Sequence, residues 1–180
     1  LVKHKELIQT KISTTINHIK SLEKVDNNLS RKINEELNNK IYLIDEIYQK
    51  NNNKELWNYE LNFNQKCLSP SDVGFHNILL SNNSLTFFDF EFAGFDDPCK
   101  LIVDLILQPD FSIPSEYIYL MNKLVDVLKS DIPNFKERLE IIFQLYLIKW
   151  FCIIFNPLIK KDINSLKKED LKIKLDKARS

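Results

Sequence analysis

The polar residues best suited to chemistry crowd into one short stretch of this 180-residue chain. Ser69-Pro70-Ser71-Asp72-Val73-Gly74-Phe75-His76-Asn77 precedes the apolar run Ile78-Leu79-Leu80, and Asp89-Phe90-Glu91 follows the run Leu85-Thr86-Phe87-Phe88. The intervening Ser81-Asn82-Asn83-Ser84 is a turn signal, so the two runs predict a small β-hairpin. Such a hairpin brings Asp72, Asn77 and Asp89 to one end. Phosphoryl transfer uses that set. One carboxylate orients an acceptor hydroxyl and takes its proton, while an amide oxygen and a second carboxylate hold magnesium against the phosphates. Positioning and charge neutralisation then carry most of the rate.

Plainer readings stand beside these. Asp72 also suits a turn, bonding its own backbone before Gly74, and Asn77 suits the cap of a strand edge. Asp89 follows two phenylalanines at a strand end, where an uncompensated carboxylate is costly. Glu91 could assist the metal or pair with a nearby cation. Asp97-Pro98 reads as a helix start, with aspartate as N-cap and proline at the first position, and that helix runs to about Leu107 before Pro109. Asp104 lies on this largely apolar helix. His76 alternates away from Asn77 and reads as structural, and His4 and His18 fall on polar helix faces.

The elements that must position these groups are mostly helices. Ile8, Ile12, Ile16, Ile19 and Leu22 form one apolar stripe, and Leu29, Ile33, Leu37, Ile41, Ile44 and Tyr48 form a second. Asp26-Asn27-Asn28 separates the two and Asn51-Asn52-Asn53 ends the second, which predicts an antiparallel helical hairpin. A coiled coil fits less well, because the register drifts over a short length. Residues 1–66 form this helical zone. Both glycines, Gly74 and Gly94, lie in the next zone, 67–109. Beyond it, Tyr117, Leu120, Met121, Leu124 and Leu128 mark a helix, Leu139–Phe155 a second, and the charged residues 164–179 a third.

Composition limits the function classes. Lys+Arg and Asp+Glu balance at 25 each, which argues against a nucleic-acid binder. With 44% hydrophobic residues the chain can bury a real core. Cys67, Cys99 and Cys152 stand far apart in no metal-binding spacing, and such a sparse, odd set reads as reduced thiols in a cytoplasmic protein. No apolar signal segment opens the chain, and Leu1 in place of methionine suggests a fragment. Leu139–Phe155 is apolar almost all round, but it is short of the ~20 residues of a typical span and is interrupted by Glu140, Gln144 and Lys149. A buried core helix, with no membrane association, is the expectation.

Asp72-x-x-x-x-Asn77 followed by Asp89-Phe90-Glu91 resembles the catalytic loop and metal motif of kinases. The ordered string SPSDVGFHNILL and LTFFDFEFAGFDDPCKLIVDLIL is similar to the aminoglycoside phosphotransferase and choline kinase superfamily, firmly over about 67–109. The resemblance implies an α+β, mainly α fold: the helical C-terminal lobe of the protein-kinase-like fold, spanning 1–180, with a small β-hairpin at the cleft. It implies Asp72 as base, Asn77 and Asp89 as Mg²⁺ ligands, Glu91 and Asp104 as possible supporting residues, and ATP as phosphoryl donor to a hydroxyl of a small-molecule acceptor. Asp104 would brace the catalytic loop, although the family often places that aspartate nearer the proline. Pro70 stands where many relatives carry a histidine. Residues 1–66 contain no glycine and no alternating strands, so the N-terminal nucleotide lobe is expected to be absent and the chain alone inactive. The alternatives are a non-catalytic helical binding protein derived from such a kinase, and a metal-dependent phosphohydrolase.

Overall fold

The computed structural model describes residues 1–71, 74–108, 118–129, 131–159 and 165–179. The fold is mainly helical, with two small two-stranded antiparallel sheets. The chain divides into two compact units. One comprises Leu1 and Glu55–Phe143, the other Val2–Lys54 and Gln144–Ser180.

In the second unit, α1 (Val2–Ser21) packs against α2 (Glu23–Lys50). The predicted stripes are the packed faces: Ile8, Ile12, Ile19, Ile33, Leu37 and Ile44 have no exposed surface. Each such side chain contributes roughly 1.5–3 kcal/mol by leaving water, which outweighs the polar composition of both helices. The expected break is real but concentrated at Asp26, whose backbone leaves the helical region (φ −155°, ψ 100°) within α2. Its carboxylate accepts from the Leu29 N–H at 2.9 Å, restarting the helix as an N-cap does. Lys168 pairs with the same carboxylate at 2.9 Å. The Leu29 N–H, and then Lys168, hold this carboxyl below the usual aspartate range.

The first unit holds α3 (Lys54–Asn58) from Glu55 onward and carries four short strands. These are β1 (Cys67–Ser69), β2 (Ile78–Ser81), β3 (Ser84–Phe87) and β4 (Gly94–Asp96). The predicted hairpin is β2–β3, in the register Ile78↔Phe87 to Ser81↔Ser84. Asn82 and Asn83 join them with φ of 46° and 61°, the twin left-handed turn that matches strand twist and that asparagine tolerates. The β1–β4 pair was not anticipated. Next comes α4 (Pro98–Ile106), with Asp97 as N-cap and Pro98 in the first turn, followed by α5 (Ile118–Leu128), which packs against α4.

Helix α6 (Phe135–Ile154) contributes to the first unit up to Phe143 and to the second from Gln144. In the second unit, α7 (Asn156–Ile159) packs on α1 and α8 (Lys168–Arg179) on α2. The stretch Phe135–Leu158 is long and apolar enough to cross a membrane, and half of its most apolar window is buried. Ile141, Ile142, Leu145, Tyr146 and Cys152 are core residues. The expectation of an apolar surface all round needs correction, because Glu140, Gln144 and Leu147 give α6 an exposed side.

Candidate functional site

The first unit holds the chemistry-bearing loops in a nested frame. The outer ladder pairs β1 with β4 as Cys67↔Asp96, Leu68↔Phe95 and Ser69↔Gly94. The inner ladder is β2–β3. Segment 70–77 links β1 to β2, and segment 88–93 links β3 to β4. Ser69 lies opposite Gly94 at one end of the two segments. At the other end the Phe88 N–H donates to the Asn77 carbonyl at 3.0 Å. The described ends of both segments are therefore fixed, Ser69 against Gly94 and Asn77 against Phe88.

Asn77 closes a 3-10 turn, its N–H donating to the Gly74 carbonyl at 2.9 Å, and it is buried, with 6% exposure. Asp89 follows Phe88 directly, so the register places Asn77 and Asp89 at the same end of the hairpin. Asp89 and Glu91 are exposed. Asp89 has φ 62°, a left-handed conformation that aspartate and asparagine tolerate better than other non-glycine residues. Asp72 lies outside the described residues. A Cβ on Gly74 would meet the exposed His76 imidazole, so a side chain there requires that ring to turn aside. Among the described residues no three His, Cys, Asp or Glu side chains form a metal-binding group. The set read from the sequence includes an asparagine and Asp72, so it is of a different make-up.

Asp104 is buried at 2% exposure and lies 3.3 Å from Lys100 Nζ. Lys100 also pairs with Asp96 at 2.8 Å and donates to Ser71 Oγ at 3.5 Å. Burial opposes the charge of Lys100, but the hydrogen bond to Asp96 and the neighbouring Asp104 outweigh it and raise its pKa above the ordinary lysine value. The spacing Asp96-x-x-x-Lys100-x-x-x-Asp104 was a legible i,i+4 signal that motif reading passed over.

Asp97 and Arg138 form a second missed pair. Arg138 Nε and Nη2 donate to Asp97 Oδ2 at 2.8 and 2.6 Å, and both residues are at most 5% exposed. Asp97 Oδ1 accepts from the Cys99 N–H at 2.9 Å. The carboxylate thus caps α4 and ties it to the first turn of α6. A lone arginine beside Leu139, Ile141 and Ile142 was the available clue, since a buried cation requires a partner.

One face of the β2–β3 hairpin is apolar. Ile78, Leu80, Leu85 and Phe87 share it, and Leu80 and Leu85 are 69% and 60% exposed. All three cysteines are free thiols. Comparison with protein-family models, curated proteins and solved structures finds no match to this chain.

Proposed function

We propose that this chain carries the catalytic loops of an ATP- and Mg²⁺-dependent phosphotransferase acting on a hydroxyl of a small molecule, similar to the aminoglycoside phosphotransferases. The observation that carries the reading is the nested frame, which pairs Ser69 with Gly94 and Asn77 with Phe88 and has Asn77 and Asp89 at one end of one hairpin.

Asp72 would orient the acceptor hydroxyl and accept its proton. Asn77 and Asp89 would hold magnesium through an amide and a carboxylate oxygen, hard donors of the kind this ion takes when phosphates and water complete its shell. The ion, when bound, neutralises charge on the transferring phosphoryl group. The exposed apolar face of the hairpin offers a surface on which a nucleotide base could leave water. Both glycines lie in 67–109, and residues 1–66 are helical over most of their length. These residues therefore supply neither a glycine-rich loop nor a strand lysine for the phosphates, and 1–180 alone should bind ATP weakly and turn it over little.

The test is ATP turnover with Mg²⁺ and a panel of amino-alcohol, sugar and aminoglycoside acceptors, on residues 1–180 and on any longer chain that carries them. The reading expects acceptor-dependent turnover wherever a nucleotide-gripping lobe accompanies these residues, abolished by Asp72→Asn and by Asp89→Ala. Turnover that ignores Asp72→Asn overturns the base. Phosphate release from phosphoesters without ATP would identify a phosphohydrolase, and acceptor binding without any turnover a binding protein.

A further inference from the structure

We propose that Lys100 is a positioning residue, its ammonium holding the Ser71 hydroxyl so that the backbone leading into Asp72 keeps one conformation. The inference rests on the phosphotransferase reading above for its catalytic meaning and on observed contacts for its geometry. An ammonium has three N–H donors. Here three oxygens from three segments surround it: Asp96 at the end of β4 (2.8 Å), Asp104 within α4 (3.3 Å) and Ser71 on the loop (3.5 Å). The two carboxylates keep the half-buried cation charged and hold it in place. The third, longer contact reaches the loop.

Ser71 needs such a hold. Its φ is 67°, a left-handed conformation that costs a serine roughly 1–2 kcal/mol and reverts unless its surroundings maintain it. Two contacts maintain it. The Ser71 N–H donates to Oγ of the buried Ser69 at 3.1 Å, and Ser71 Oγ accepts from Lys100. Release of the hydroxyl lets Ser71 relax towards negative φ, which redirects the chain one residue before the base. A misplacement of about 1 Å at a reacting group can cost on the order of 100-fold in rate.

Lys100→Met removes the charge and leaves two carboxylates without their cation, so it tests folding as well as position. Ser71→Ala keeps both ion pairs and removes only the loop contact. Both are measured in the complete protein for kcat, KM for MgATP and amide exchange across residues 69–77, beside Lys100→Arg. We expect Ser71→Ala to lower kcat roughly 10- to 100-fold with KM for MgATP and the unfolding midpoint unchanged. Exchange at Ser71 and Asn77 should accelerate, and Lys100→Arg should retain more kcat than Lys100→Met. Unchanged loop exchange in Ser71→Ala beside Asp72-dependent turnover overturns the anchor and leaves the phosphotransferase reading intact. Faster loop exchange in a protein whose turnover ignores Asp72→Asn overturns the phosphotransferase reading and leaves the anchor standing.

Discussion

Replacing Arg138 by methionine should destabilise the first unit severely, because it strips a buried carboxylate of its cation while keeping most of the aliphatic stem. Arg138 is 3% exposed and Asp97 5%, and two guanidinium N–H groups converge on one carboxylate oxygen at 2.8 and 2.6 Å. Removing one partner of such a pair costs about 3–5 kcal/mol. For a chain of this size that is a fall of roughly 6–20 °C in Tm. Asp97→Ala should cost about 1 kcal/mol more than loss of the pair alone, since it also deletes the cap on the Cys99 N–H. Asp97→Asn with Arg138→Met should cost less than the two single changes added, because neither side chain is then left charged and unpaired. Urea unfolding of the four proteins, with hydrogen exchange of α4 as a local probe, measures the cycle. An Arg138→Met protein within about 1 kcal/mol of wild type, below the one-sided cost expected, would refute the reasoning, as would strict additivity. The site shares the consequence, since α4 follows β4 directly and β4 closes the outer ladder around both loops.

Asn83→Gly should leave the β2–β3 turn intact or stabilise it by a few tenths of a kcal/mol, whereas Asn83→Val should cost about 1–2 kcal/mol, because φ is 61° there; chemical denaturation compares them. Lys100 titrates higher folded than unfolded, so its contribution is present in full at neutral pH and is lost only as pH rises beyond the ordinary lysine value of about 10.4. A stability–pH curve in which Lys100→Met removes an alkaline loss seen in wild type would show it. Iodoacetamide at pH 8 should label Cys67 first, because it is partly exposed while Cys99 and Cys152 are fully buried. Burial pushes the Cys152 thiol up to about 11 and the Cys99 thiol higher still, so both should react only after unfolding, as peptide mass mapping would read.

The sequence alone determined the parts whose cause lies within a few residues. The isoleucine stripes of α1 and α2 follow from a 3.6-residue period, the β2–β3 register from two asparagines able to adopt positive φ, and the start of α4 from an aspartate cap before proline. The coincidence of Asn77 and Asp89 at one hairpin end is a consequence of that same turn. Other features needed the whole chain. Cys67–Ser69 and Gly94–Asp96 are too short to show a period, and only pairing across the inner hairpin makes them strands. Residues 2–54 join residues 144–180 in one unit because apolar faces at opposite ends of the chain are buried together, and burial has no sequence distance in it. Arg138 meets Asp97 across 41 positions, and Lys100 meets Ser71 across 29. The i,i+4 spacing could announce Asp96, Lys100 and Asp104, but it could not say that a half-buried ammonium with two donors already satisfied would turn its third towards Ser71. That direction was set by tertiary packing, which brought β4, α4 and the loop within reach of one charge.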